Sequence, residues 1–134
     1  MEILVVDDEP AIPSLFKQVF RQELKEGLLT FRFCASAEEA LEYIKNAQDI
    51  RTILILSDIH MPGMNGLELL RILKKQHPEL TVLTVTAYGD DKNRQTATSY
   101  GADDFINKPI DFPNLRQKLF AFKQRLAEEG RNSL

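Results

Sequence analysis

The sequence predicts an α/β domain: a five-stranded parallel sheet, doubly wound, with helices on both faces. Three observations predict it. Short β-branched apolar runs alternate five times with stretches of helical spacing, and strands alternating with helices of this length imply crossover connections and a mostly parallel sheet. Several of the runs are almost wholly apolar, as strands covered on both faces are. The chain has 134 residues, 43% of them apolar and 28% charged, enough for one core and too few for two.

The first run, Ile3-Leu4-Val5-Val6, is a buried strand closed by Asp7-Asp8-Glu9-Pro10. Ile12, Leu15, Phe16, Val19 and Phe20 then fall at helical spacing. Pro10 and Pro13 sit near the start of that helix, where a missing N–H costs little, and Gly27 stops it. Residues 29–34 form the second strand, with partial alternation. Ser36 followed by Glu39 has the spacing of an N-cap with an acid three residues on, and Leu41 and Ile44 give the helix its core face. The third strand is 52–56. Residues 67–73 form a helix ending at His77-Pro78, and 80–85 form the fourth strand. Residues 90–100 make a poor helix, with Ala97 and Tyr100 as its apolar anchors, and Gly101 ends it. Phe105-Ile106 marks a short fifth strand. From Phe112 a last helix carries Leu115, Leu119, Phe122 and Leu126 on one stripe. Residues 1–127 are read as the domain and 128–134 as a polar tail or linker stub.

Composition excludes several classes. Six glycines and six prolines are too few for a collagen-like or disordered chain. The apolar runs fall far short of the ~20 residues of a membrane span, and Met1-Glu2 opens without the basic region of a signal peptide. A single cysteine, Cys34, forms no intramolecular disulfide and reads as a small core residue. A net charge of −3 argues against a nucleic-acid backbone binder. The expectation is one soluble cytoplasmic domain without membrane or direct nucleic-acid contact.

In an open parallel sheet, ligands bind beyond the carboxyl ends of the strands. The residues just after each run are Asp7-Asp8, Asp58, Thr86 and Asn107-Lys108. Three carboxylates, a hydroxyl and an ammonium therefore converge on one edge. At ~4 Å and an effective dielectric of ~20, each carboxylate pair repels by about 4 kcal/mol; protonation or a bound cation relieves this. A hard divalent ion such as Mg²⁺ suits all-oxygen ligands. With a cation on one side and Lys108 on the other, the site suits a tetrahedral anion beside Asp58, whose carboxylate can itself act as a nucleophile and become an aspartyl phosphate.

Four motifs carry a resemblance over essentially residues 2–127: Val5-Val6-Asp7-Asp8-Glu9-Pro10, Ser57-Asp58-Ile59-His60-Met61-Pro62-Gly63-Met64-Asn65-Gly66, Val85-Thr86-Ala87, and Gly101-Ala102-Asp103-Asp104-Phe105-Ile106-Asn107-Lys108-Pro109. In this order and at these strand ends they resemble the receiver domain of two-component response regulators, which implies a flavodoxin-like (βα)5 fold. The resemblance implies that Asp58 accepts a phosphoryl group from a histidine kinase or phosphotransfer protein. It implies that Asp8 ligates Mg²⁺ directly, Asp7 through water and His60 through its backbone carbonyl. Thr86, the Ala87 N–H and Lys108 would bind phosphate oxygens. Thr86 and Phe105 match the family's switch positions. The surface of the fourth helix, fifth strand and fifth helix would change to control an output domain or partner. The resemblance also implies that His60 and Tyr88, two residues after the acceptor and the threonine, flank the path of attacking water; both are bulky, so slow self-dephosphorylation is expected.

Simpler readings exist for each residue. Asp8 could cap the first helix, Asp58 could be a turn acid, and Lys108-Pro109 could be a surface loop. His77 reads as a helix-end residue near the negative end of the dipole. Phe120, off the apolar stripe, is either a lone exposed residue or a contact with a partner or second copy, as in a phosphorylation-dependent homodimer. Two rival functions remain: a phosphorylation-independent scaffold on the same fold, and a Mg²⁺-dependent aspartyl phosphatase. The latter is disfavoured because Glu9 stands where dehalogenase-type phosphatases carry a second Asp. The expected domain is a switch rather than a turnover enzyme.

Overall fold

The computed structural model describes residues 1–132. Its elements run β1 (Glu2–Val6), α1 (Ile12–Val19), α2 (Arg21–Lys25), β2 (Thr30–Cys34), α3 (Ala37–Asn46), a 3-10 turn (Ile50–Thr52), β3 (Ile53–Asp58), α4 (Gly66–Gln76), β4 (Thr81–Ala87), α5 (Asp91–Ser99), β5 (Asp104–Lys108) and α6 (Phe112–Asn132). The five strands form one sheet in the order β2-β1-β3-β4-β5, and every neighbouring pair is parallel. The predicted class is the one observed. The winding direction reverses between β1 and β3, which opens a crevice at their carboxyl ends.

Successive side chains of a strand point to opposite faces, and here both faces are covered. Leu4, Val6, Ile53, Ile55 and Val82 pack with Ala37, Ala40 and Ile44 of α3, Leu69, Leu70 and Leu73 of α4, and Ala97 of α5. Ile3, Val5, Leu54, Leu56, Leu83, Val85 and Ile106 face the other way, onto Ile12 and Phe16 of α1 and Leu115, Leu119 and Phe122 of α6. Each fully buried aliphatic side chain contributes about 1.5–3 kcal/mol, so the two layers hold the strand ends in fixed relation. Cys34 is buried; burial, the nearby Glu39 charge adding to it, pushes its thiol up to about 11. That makes it an inert core residue.

Several sequence expectations need correction. The single helix predicted after β1 is two, because at Phe20 the backbone leaves helical geometry (φ −101°, ψ 23°) while its ring, fully buried, packs on Phe16, Phe31 and Phe112. Leu15 is exposed at 40% and Tyr100 at 36%, so neither anchors a core. Leu41 is only half-buried; Ala37, Ala40 and Ile44 form the buried face of α3. Phe120 is half-buried rather than outward. Helix α6 continues to Asn132, into the segment read as tail or linker stub. Residues 133–134 of the expected tail lie outside the described residues. Among the described residues, no helix is long and apolar enough to cross a membrane.

The hydroxyl of Thr84, in the middle of β4, is buried without a hydrogen-bond partner in the protein. An unpaired buried hydroxyl is destabilising, so Thr84→Val is expected to raise stability by about 1 kcal/mol in urea unfolding. A loss of that size would show that the hydroxyl is satisfied in solution.

Candidate functional site

The strand ends deliver the expected residues to one edge. β1 ends at Val6, aligned with Ser57 of β3, so Asp7 and Asp8 lie beside Asp58, the last residue of β3. Asp58 aligns with Val85 of β4. Thr86 aligns with Asn107, and Ala87 with Lys108. One carboxylate oxygen from each of Asp7, Asp8 and Asp58 lies within 4.8 Å of the others. Asp58 is 4% exposed, and its Oδ2 accepts a hydrogen bond from Lys108 Nζ at 2.9 Å. Its Oδ1 accepts a long bond from the His60 N–H at 3.4 Å. The Thr86 hydroxyl is buried and has no partner in the protein.

The electrostatics match this crowding. Burial raises the Asp7 carboxyl above its ordinary range; the Glu9 N–H opposes this, and the Asp58 and Asp8 charges add to it. The hydrogen bond to Asp58 raises the Lys108 ammonium, with the charges of Asp58, Asp7 and Glu9 reinforcing it against burial. A buried acid paired with one lysine and flanked by two further acids draws cations. The donors are all hard oxygens, so the cluster fits a magnesium ion.

The simpler reading of Asp8 fails on geometry. The cap position of α1 is Ala11, and no side chain caps the helix, so Asp8 is free for the acidic cluster. His77 is the C-cap of α4, as expected.

The loop between β3 and α4 is held more firmly than the sequence suggested. The Gly66 N–H donates to the Ile59 carbonyl at 2.8 Å. Glu38 of α3 reaches across to accept from the Met64 N–H at 3.2 Å, and Asn65 caps α4 by accepting from the Glu68 N–H. Sequence reasoning passed over Glu38 because it lies 26 positions from its partner, with no periodic signal to connect them. It passed over Asp90 as well. This residue caps α5 through the Asn93 N–H, and its Oδ2 lies 3.8 Å from His60 Nε2. The His60 side chain thus reaches toward the β4–α5 loop, while Tyr88 is 79% exposed. Phe105 is half-buried against the α4–α5 side of the core.

Beside the cluster, between α1 and the start of α6, lies an open groove of about 420 Å³. Ile12, Leu15, Ile110 and Phe112 line it, with Asp7 and Lys108 at its edge.

Residues 3–120 match the family model described as the response regulator receiver domain. The chain belongs to that family. The receiver domain is 35% identical over 115 residues to the sporulation initiation phosphotransferase F of Bacillus subtilis, covering 86% of this chain and 87% of that protein. It is 36% identical over 109 residues to the DNA-binding transcriptional regulator NtrC of Proteus hauseri, covering 81% of this chain but 22% of that one. Of several curated relatives it spans only 22% to 59% of the length. Among solved structures, the receiver domain of the Francisella response regulator 1452 superposes with a TM-score of 0.78 at 26% identity, covering 93% of this chain and 98% of that one. The response regulator TrrA of Thermotoga maritima, solved in complex with Mg(2+)-BeF, gives 0.72 at 31% identity, covering 90% and 97%.

Proposed function

We propose that this receiver domain takes a phosphoryl group onto Asp58 from a phosphohistidine of a histidine kinase or phosphotransfer protein, and that the new charge switches its α5–β5–α6 surface. One observation carries the reading. Of the three clustered carboxylates, Asp58 alone is fully buried at a strand end and paired with a lysine, 2.9 Å from its oxygen.

A free lone pair of the Asp58 carboxylate attacks phosphorus, the phosphorus–nitrogen bond of the donor breaks, and the imidazole keeps that electron pair and takes a proton from water. The product is a mixed anhydride carrying one more negative charge than the carboxylate. Lys108 already stands at that oxygen and neutralises part of the charge without reorganisation. The unpartnered Thr86 hydroxyl and the Ala87 N–H are the donors proposed for the remaining phosphate oxygens. Asp7, Asp8, Asp58 and the His60 carbonyl are the residues proposed to hold Mg²⁺, which when bound supplies charge neutralisation. Thr86 and Phe105 are the proposed switch residues, and the setting is the cytoplasm, where the domain controls a fused output or a separate target. Its chemistry is confined to taking up and losing its own phosphoryl group.

The groove of Ile12, Leu15, Ile110 and Phe112 supports a protein donor, because it places apolar contact area beside the acceptor. Leu15→Glu is expected to slow transfer from a phosphorylated histidine protein at least about tenfold, the effect of desolvating an unpaired charge. Uptake from acetyl phosphate should stay unchanged; equal loss with both donors would remove the groove from donor docking.

Lifetime follows from the mouth of the site. The His60 side chain is exposed but has its direction set by Asp90, 3.8 Å away; Tyr88 is exposed as well, at 79%. His60→Asn is therefore expected to shorten the aspartyl phosphate lifetime several-fold, and Tyr88→Ala less. Timed loss of phosphoryl mass checks this, and unchanged decay in both variants would contradict it.

A further inference from the structure

Helix α5 is weakly anchored. Its only buried residue is Ala97, and residues such as Asn93, Thr96 and Thr98 have low helix propensity. Arg94 supplies what the apolar face lacks. Its guanidinium lies over the Phe105 ring, 5.3 Å from the centroid, and its Nη2 donates to the Asn107 side-chain oxygen. Phe105 and Asn107 are two apart on β5, so they share a face of the sheet. They lie opposite Thr84 and Thr86 of β4, whose hydroxyls are both buried and unpartnered. Asn107 also immediately precedes Lys108, which holds Asp58. A single side chain thus grips the strand on either side of Ile106, next to the acceptor's lysine.

We infer that Arg94 is a positioning residue that restrains the unphosphorylated state, clasping Phe105 and Asn107 toward α5. The inference rests on the phosphoryl-switch reading above. A turn of the Phe105 ring away from Arg94 gives up the cation–π contact, and movement of α5 gives up the bond to Asn107. On this proposal the clasp belongs to the resting state alone, and so it sets the bias of the equilibrium. A contact found in only one of two states shifts their populations by its own free energy, and apparent affinity for a state-selective ligand follows the population of the competent state.

The test uses the whole chain with beryllofluoride and Mg²⁺ as the phosphoryl mimic. Binding is measured by calorimetry and thermal unfolding is followed with and without the mimic. Arg94→Met keeps the side chain's length and removes its charge. It is expected to tighten beryllofluoride binding about five- to tenfold and to speed uptake from acetyl phosphate. It should lower the unfolding temperature of the free protein more than that of the bound protein, whereas a merely structural contact would lower both alike. Asn107→Ala reads the same bond from the strand side and is expected to tighten binding about twofold. Because the two residues share one contact, the double variant should bind no tighter than Arg94→Met alone. Wild-type protein that binds the mimic, beside an Arg94→Met that binds no tighter, overturns the restraint alone. Wild-type protein that fails to bind it overturns the phosphoryl reading and the restraint together.

Discussion

Replacing Gly66 by alanine is expected to destabilise the domain by about 3 kcal/mol or more. A Cβ at this position would lie 2.1 Å from the Asp58 carbonyl oxygen, 2.8 Å from the Ile59 Cα and 2.9 Å from the Asp58 carbonyl carbon. All three are backbone atoms at the end of a central strand, so no side chain can swing aside. The Gly66 N–H also donates to the Ile59 carbonyl at 2.8 Å, which draws the helix start onto the strand end. An added methyl must push the two apart, break that bond and move Asp58 away from Lys108. Urea unfolding gives the stability loss, and uptake from acetyl phosphate by the folded fraction should fall with it. A loss below about 1 kcal/mol would mean that the β3–α4 loop relaxes freely, and that the acceptor is not held by this close approach.

Asp58→Asn is expected to abolish phosphoryl uptake, a loss of about 100-fold or more, because an amide oxygen is a poor nucleophile. Stability should change little. The substitution removes one member of a mutually repelling trio, and it leaves Lys108, whose side chain is 44% exposed, free to find water. The Lys108 ammonium is raised chiefly by its hydrogen bond to Asp58, so its titration should move back toward the ordinary range in the variant. Nuclear magnetic resonance of the lysine side chain reads that shift. A folded Asp58→Asn protein that still gains a phosphoryl group would place the nucleophile elsewhere.

The architecture was legible because buried parallel strands announce themselves as apolar runs, and because binding residues follow the strand ends of such sheets. Ser36 shows a local rule operating as expected: its hydroxyl accepts from the Glu39 N–H at 3.1 Å, and the Glu39 carboxylate accepts from the Ala35 N–H. Local rules did not reach the contacts made across the fold. The clasp of Arg94 on β5, the hold of Glu38 on the loop before α4 and the approach of Asp90 to His60 each join elements separated in sequence. No spacing encodes them. Periodicity also overstated the core at Leu15 and Tyr100, because a residue at helical spacing is buried only if a neighbouring element covers that angle.

The most direct test of the central claim is the intact mass of the purified protein after incubation with acetyl phosphate, with Mg²⁺ and with a chelator. The account predicts the gain of one phosphoryl group in the presence of the metal, labile to hydroxylamine as an acyl phosphate is, mapped to Asp58 and absent with the chelator. No gain, a metal-independent gain or a gain mapped to another residue would contradict it.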